Sequence, residues 1–167
     1  MQDTGFFQPQ EIHQHLQIHE GMQIADFGSG SGEIAVRIGA LIGESGRVTA
    51  LDVLSTAIES VQAKAKASGL DNIVPVRANL EIPGSSGLAD GSQDAVFLAS
   101  ILWQSPKPEA ILHEATRVLK PDGTIMVIEW KTKLPAEKLN SLLVKISLRV
   151  TKEFPAGAYH YGILAKK

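Results

Sequence analysis

Cysteine is absent from the 167 residues. Disulfides, thiolate metal sites and cysteine nucleophiles are therefore excluded. No apolar run approaches the roughly 20 residues of a membrane span, and the first residues lack the basic start and apolar core of a secretory leader. The expectation is a cytoplasmic protein without membrane association. Aromatic residues make up only 5% of the chain, and the pair Phe6-Phe7 is too large to be left exposed without a reason. Basic residues are scarce in the first hundred positions, where 5 Lys and Arg stand against 12 Asp and Glu; residues 101–167 carry 11 against 6. The net charge of −2 thus divides into an acidic first part and a basic second part. Such asymmetry either attracts an anionic ligand to the basic part or is simply a solvated face. The length fits one domain over residues 1–167, with an N-terminal segment and short helix in 1–20 and a core in 21–167.

What is present centres on Asp26-Phe27-Gly28-Ser29-Gly30-Ser31-Gly32. The apolar run Met22–Phe27 reads as a strand, and Ile34, Ile38, Leu41 and Ile42 give the following segment one apolar helical face. Glycines at the junction permit positive φ and remove side chains that would hold a ligand away. The first helical amides have no intrahelical partner, so a polar or anionic ligand group is favoured there. A dinucleotide fingerprint requires G-x-G-x-x-G, but its last position falls on Glu33. The glycines instead read G-x-G-x-G, with an acid two residues ahead of the first. Next comes the strand Arg47–Asp52, which places Asp52 about 20 residues past the turn, where a βαβ unit offers a carboxylate to a ribose diol. Charge-assisted hydrogen bonds of that kind are the stronger ones. A helix-capping role for Asp52 is the competing reading, weakened because Ser55 is itself suited to be the N-cap of the next helix.

This pattern resembles motif I of the class I S-adenosylmethionine-dependent methyltransferases, acid-x-G-x-G-x-G. Arg117-Val118-Leu119-Lys120-Pro121-Asp122-Gly123 resembles the R-V-L-K-P-G-G approach to strand five in the same family, including its quinone-biosynthesis group, with Asp122 in place of a glycine. The resemblance spans about residues 20–167. It implies a Rossmann-like α/β fold, a single three-layer αβα domain whose seven-stranded sheet is mostly parallel and closes with a C-terminal antiparallel hairpin. It also implies S-adenosyl-L-methionine as cofactor, with S-adenosyl-L-homocysteine as product. Carried over by residue, the cofactor-binding set is Asp26, Phe27, Gly28, Ser29, Gly30, Gly32, Asp52, Val53, Asn79, Leu80 and Ser100. Val53 would pack on adenine and Asn79 would bond its amino group, while Phe7 and Gln8 would line the methionine end.

The remaining periodicity predicts a helix from Pro9 to about His19, another from Thr56 to Ser68, and a strand from Ile73 to Ala78. Residues 82–93 hold Pro83, Gly84, Gly87 and Gly91 and leave little room for a crossover helix. A central strand, Asp94–Ser100, precedes a helix over Pro108–Leu119, a turn at Lys120–Gly123 and a strand from Thr124 to Trp130. A helix at 136–147 and two strands, Arg149–Phe154 and Tyr159–Ala165, complete the chain. His15 and His19 have the i, i+4 spacing of a metal pair, but no nearby carboxylate completes a motif and no metal is expected.

Methyl transfer from a sulfonium needs orientation above all, and a base only when the acceptor must lose a proton. No catalytic residue is assigned; Ser100, Trp103, Glu129, Tyr159 and His160 are the candidates at strand ends. The missing cysteine removes cytosine C5 methylation through a thiol adduct and thiol-dependent arsenite methylation in its usual form. Ala99-Ser100-Ile101-Leu102 also lacks the Asn/Asp-Pro-Pro-aromatic motif of amino-methylating nucleic-acid enzymes. The acceptor (small molecule, RNA or protein) and homo-oligomerisation stay open. Two other classes compete: a non-catalytic S-adenosylmethionine-binding partner or sensor, and a nicotinamide-dependent oxidoreductase.

Overall fold

A computed structural model describes Gln8 and residues 12–167; Phe6, Phe7 and Pro9 lie outside the described residues. Seven strands form one sheet: β1 (Gln23–Phe27), β2 (Arg47–Asp52), β3 (Ile73–Arg77), β4 (Gln93–Ala99), β5 (Leu119–Trp130), β6 (Arg149–Ala156) and β7 (His160–Lys166). Their order is β3-β2-β1-β4-β5-β7-β6. The first five are parallel, and β7 runs antiparallel between β5 and β6. Strand order reverses between β1 and β4, so the crevice that open α/β sheets use for ligands falls beyond their C-terminal ends.

Helices α1 (Ile12–His15), α2 (Glu33–Ile42) and α3 (Ser55–Ala67) cover one face; α4 (Pro108–Val118) and α5 (Ala136–Lys145) cover the other. Alternation along the strands supplies both core layers. Ile24, Met126 and Ile128 pack with Ile38, Ile42 and Val61, whereas Phe27, Val96, Leu98, Ile125 and Val127 pack with Leu112, Leu139 and Leu143. The Asn72 side-chain amide donates to the Gly39 and Gly43 carbonyls at 2.8 Å each, tying down the C-terminal end of α2. The three-layer architecture with its antiparallel closing hairpin agrees with the expected class.

Four local expectations change. The described part of the first helix is only Ile12–His15, so His15 and His19 do not share a helical turn. Past Leu16 the chain must turn through Gly21 (φ 81) into β1, and one short stretch with two apolar anchors does not sustain a longer helix. Ser55 is not an N-cap: it is the first residue of α3, Leu54 occupies the cap with extended φ −86 and ψ 126, and no side chain of the cap bonds the helix. The turn at Lys120–Gly123 lies inside β5, as a bulge between the pairs Gln93↔Leu119 and Ala95↔Thr124. Asp94 anchors it, pairing with Lys120 at 2.7 Å while accepting the Gln23 amide at 2.8 Å. The hairpin strands each run further than their periodicity shows, to Ala156 and Lys166.

No helix joins β3 to β4. What holds this loop is a buried carboxylate: Glu114 of α4 accepts the Gly84 amide at 2.9 Å, the Ser86 hydroxyl at 2.6 Å and the Arg117 guanidinium at 2.7 Å. Arg117 reaches on to Asp90. Burial alone would raise the Glu114 pKa, but the bonds from Arg117, Ser86 and Gly84 outweigh it and hold the group down to about 2.

Two outcomes follow for stability. Glu114→Ala leaves the half-buried Arg117 guanidinium to Asp90 and strips the Gly84 and Ser86 donors of their acceptor, and costs about 2 kcal/mol in denaturant unfolding. The Glu114 carboxylate is depressed from 4.5 to about 2, so its contribution is present above the unfolded value and is lost as pH falls through the folded one. Glu114→Gln should therefore flatten the acid limb of a stability profile between those values. At Asp122 the backbone is left-handed, φ 62, on an exposed bulge; Asp122→Gly should raise stability by about 0.5–1 kcal/mol, the relieved strain exceeding the added chain entropy.

Candidate functional site

At the C-terminal ends of β1 to β4 lies a cleft of about 400 Å³, lined by Gly28, Gly30, Asp52, Val53, Asn79 and Leu80 together with Glu81, Ile101, Gln104 and Ser105, among others. Three strand ends thus bring six of the predicted cofactor residues to one surface. Asp52 ties two of the loops together, because its Oδ2 accepts the Gly30 amide and its Oδ1 the Leu54 amide, both at 3.0 Å. The carboxylate therefore holds the start of α3, the position Ser55 was expected to serve, and keeps lone pairs for further donors. Val53 and Leu54 are exposed, as expected of side chains waiting beside a ligand rather than in the core. Asn79 is exposed and folds its Oδ1 onto the Glu81 amide at 3.1 Å.

The glycines divide by role. Gly28 has φ 79, and a Cβ there would stand 2.7 Å from Ile101 Cδ1. At Gly30, φ is 50 and the nearest heavy atom to a Cβ would be 4.0 Å away, so the space above it is open. Gly32 serves packing: it caps α2 in the left-handed region, and a Cβ would meet the Val61 backbone at 3.0 Å. Phe27 is fully buried in the core, so only its backbone borders the site. Ser100 ends β4 with φ 55 and its amide on the Ile128 carbonyl at 2.8 Å, adjacent to the cleft residues rather than among those lining it.

Asp26 and Ser29 are buried, and among the described residues neither the Asp26 carboxyl oxygens nor the Ser29 hydroxyl has a hydrogen-bond partner. Burial, reinforced by the charge of Asp52, pushes the Asp26 pKa up to about 7. An uncompensated buried carboxylate is costly, and it fits a site whose donor arrives with a ligand.

Sequence reasoning missed the wall contributed after β4. Leu102–Gln104 form a 3-10 turn, and Ser105 donates to Glu81 Oε1 at 2.7 Å, joining the loops that follow β3 and β4. Only Ser105-Pro106 marks a turn there locally, and nothing local announces a partner 24 residues away. Of the candidates further along, Trp103 and Tyr159 are exposed, with Lys133 Nζ 5.4 Å from the Trp103 ring. Trp130 lies 6.4 Å from Tyr159 and 4.2 Å from His160, ring to ring. Burial, with Lys131 nearby, lowers the His160 pKa. Glu129 is fully buried and is pushed up to about 7 by that burial, against the backbone bonds that favour its charge. Among the described residues, no three His, Asp or Glu side chains are grouped to hold a metal ion, and no helix is long and apolar enough to cross a membrane.

The sequence profile of the family described as "Methyltransferase domain" matches residues 18–156. The chain belongs to this methyltransferase family. Similar proteins include an arsenite methyltransferase of Aquipseudomonas alcaligenes, 34% identical over 110 residues that make up 64% of this chain and 32% of that one. A ubiquinone/menaquinone biosynthesis C-methyltransferase of Cronobacter sakazakii is 28% identical over 86% of this chain and 59% of its own. The chain thus spans about one third to three fifths of the length of these curated relatives. A SAM-dependent methyltransferase from Aquifex aeolicus superposes with a TM-score of 0.85 at 26% identity, covering 97% of this chain and 90% of the other. The cofactor this membership implies is S-adenosylmethionine, and the orphaned Asp26 carboxylate and the open space over Gly30 fit such a ligand.

The sign of the Asp26 effect is checkable without ligand. Its folded pKa of about 7 lies above the unfolded value of 3.8, so the associated stability is fully present below the unfolded value and is lost as pH rises through the folded one. Thermal unfolding of the free protein should show Tm falling from pH 5 to pH 8, and Asp26→Asn should remove the share of that fall that Asp26 carries, leaving the share due to Glu129, which is likewise pushed up to about 7.

Proposed function

We propose that the chain binds S-adenosylmethionine in the cleft beyond β1 to β4 and passes its methyl group to an acceptor presented over the ends of β4 and β5. The observation that supports this best is the convergence of the glycine turn, Asp52, Val53, Asn79 and Leu80 on one cleft. The Asp52 carboxylate takes the ribose hydroxyls while keeping its two backbone bonds. Val53 and Leu80 flank adenine, and Asn79 meets its polar edge. The backbone of Phe27, Gly28, Ser29 and Gly30 faces the rest of the ligand, with Gly32 setting the entry of α2, and Asp26 balances a cationic group. Ser100, strained at the end of β4, sits where cofactor and acceptor meet.

The bound cofactor supplies an electrophilic methyl on a sulfonium. The protein's part is to hold the acceptor in line with it and keep water out, a contribution of up to roughly 10 kcal/mol in favourable cases. The acceptor class is not assigned. Arsenite as in one relative is disfavoured by the lack of any cysteine in these 167 residues.

Calorimetry with S-adenosylmethionine, S-adenosylhomocysteine and NAD tests the reading. Micromolar binding of both adenosyl ligands and none of NAD is expected; folded protein that ignores the adenosyl ligands would sink it. Asp52→Ala removes charge-assisted contacts of about 1.5–3 kcal/mol, so affinity should drop roughly 10–150-fold. Gly30→Val should lose binding, because its side chain enters open cleft space and a β-branched residue strains the turn at φ 50; a folded variant that binds normally refutes the placement of the turn.

A further inference from the structure

Among the described residues, Glu129 is the second buried carboxyl without a full set of donors, and the cofactor reading gives it no task. It lies near the end of β5, paired with Tyr161 of β7. Its Oε1 accepts the Leu102 amide at 2.7 Å, across 27 residues of sequence. Leu102 opens the 3-10 turn Leu102–Gln104, whose preceding residue, Ile101, provides no side-chain cap. Glu129 therefore stands in for the missing cap from another strand. The segment it holds is a wall of the cleft: Ile101, Gln104 and Ser105 all line it, and Ile101 is packed against Gly28. The same segment begins at Ser100, whose positive φ of 55 stores strain that something else must hold in place.

Among the described residues, Glu129 Oε2 has no hydrogen-bond partner and the carboxyl forms no ion pair. From β7 the titratable group facing it is Tyr161, whose hydroxyl donates to the Leu134 carbonyl at 2.7 Å. Residues 101–105 bring no charged side chain, and the core residues of α4 and α5 on this face, such as Leu112 and Leu139, are apolar. Lys131 and Lys133 follow it in sequence but are engaged by the Ala158 carbonyl and the Trp103 ring. Asp26 is on the opposite face of the sheet by strand alternation.

We propose that Glu129 is a positioning residue for the ligand cleft: it latches the segment Ile101–Ser105 against the glycine turn, and the latch holds best while the carboxyl keeps its proton. A neutral carboxyl still accepts the Leu102 amide, and its bare second oxygen carries no full charge. Burial outweighs the Leu102, Trp103 and Trp130 amides, which favour the charged form, so the cheapest relief on ionisation is to admit water by releasing the turn. The linkage has a definite sign. Held in the turn, the group titrates near 7 instead of its ordinary 4.5, whereas in water it returns to the ordinary value, so raising the pH through neutrality favours release.

The inference rests on the cleft being the cofactor site, but its test does not need ligand. Hydrogen–deuterium exchange of the free protein at pH 6 and pH 8, corrected for intrinsic rates, should show protection at the 101–105 amides decreasing at the higher pH. Glu129→Gln, a neutral acceptor of the same shape, should keep these amides protected at both pH values. Glu129→Ala should leave them exposed at both and weaken S-adenosylhomocysteine about 3–10-fold, the loss of one buried hydrogen bond acting through the cleft wall. Equal corrected protection at pH 6 and pH 8 in the wild type, or a Gln variant that keeps the wild-type pH response, overturns the latch. If the Ala variant does not fold, the wild-type and Gln comparison still decides. A wild type that shows the pH-dependent protection yet binds no adenosyl ligand refutes the cofactor reading and leaves the latch standing.

Discussion

The floor of the cleft rests on a contact that only glycine permits. At Gly28 the end of β1 meets Ile101 so closely that a Cβ would stand 2.7 Å from the isoleucine side chain. Adjacent strands lie only about 4.8 Å apart, and this is the point where strand order reverses, so the loops leaving β1 and β4 have to share that space. Once they meet, the rim is set by two side-chain links: Asp52 joins the glycine turn to the start of α3, and Ser105 with Glu81 joins the loops after β3 and β4. The site is therefore a set of coupled loops on a rigid sheet, the usual division of labour between scaffold and function.

Three buried carboxyls show how donors separate scaffold from site. Glu114, surrounded by an arginine, a serine and loop amides, stays ionised to about pH 2 and closes a helixless crossover. Among the described residues Asp26 is equally buried with no donor and Glu129 with backbone amides alone, and both are pushed up to about 7. Burying a polar group without compensation violates the rule that governs the rest of the core. Such violations concentrate where structure serves ligands rather than stability, and here both flank the ends of the strands that border the cleft.

The parts legible in the sequence were those carried by local pattern. Apolar alternation and helical spacing marked the strands and most helices, and the glycine spacing with Asp52 located the cleft, because a turn and the acid one βαβ unit later are fixed by chain geometry. Long-range pairs were invisible: nothing near Glu129 announces Leu102, and nothing near Glu114 announces Gly84. The Ser55 cap was misjudged for a related reason. A serine before a helix is a good local signal, but the Asp52 carboxylate reaches the Leu54 amide first and starts the helix one residue earlier. Lys120-Pro121-Asp122-Gly123 does carry turn chemistry, yet pairing with β4 continues on either side of it, which only the sheet can decide.

The uneven charge of the chain acquires a spatial meaning once the sheet is drawn. The residues proposed to hold the cofactor, from Asp26 to Ser100, belong to the acidic first part, whereas the end of β5 and the start of β7, which flank the proposed acceptor side, belong to the basic second part and carry Lys131, Lys133, Trp130, Tyr159 and His160. Trp103 bears on what can approach from there. Its ring face already has the Lys133 ammonium at 5.4 Å, so a cationic acceptor stacking on that face must displace a cation. A planar neutral group faces no such penalty, because it can stack on the ring and keep the lysine as a partner. The quadrupole of an exposed tryptophan, read alone, favours a cation; read with Lys133 already on it, it favours a planar neutral group.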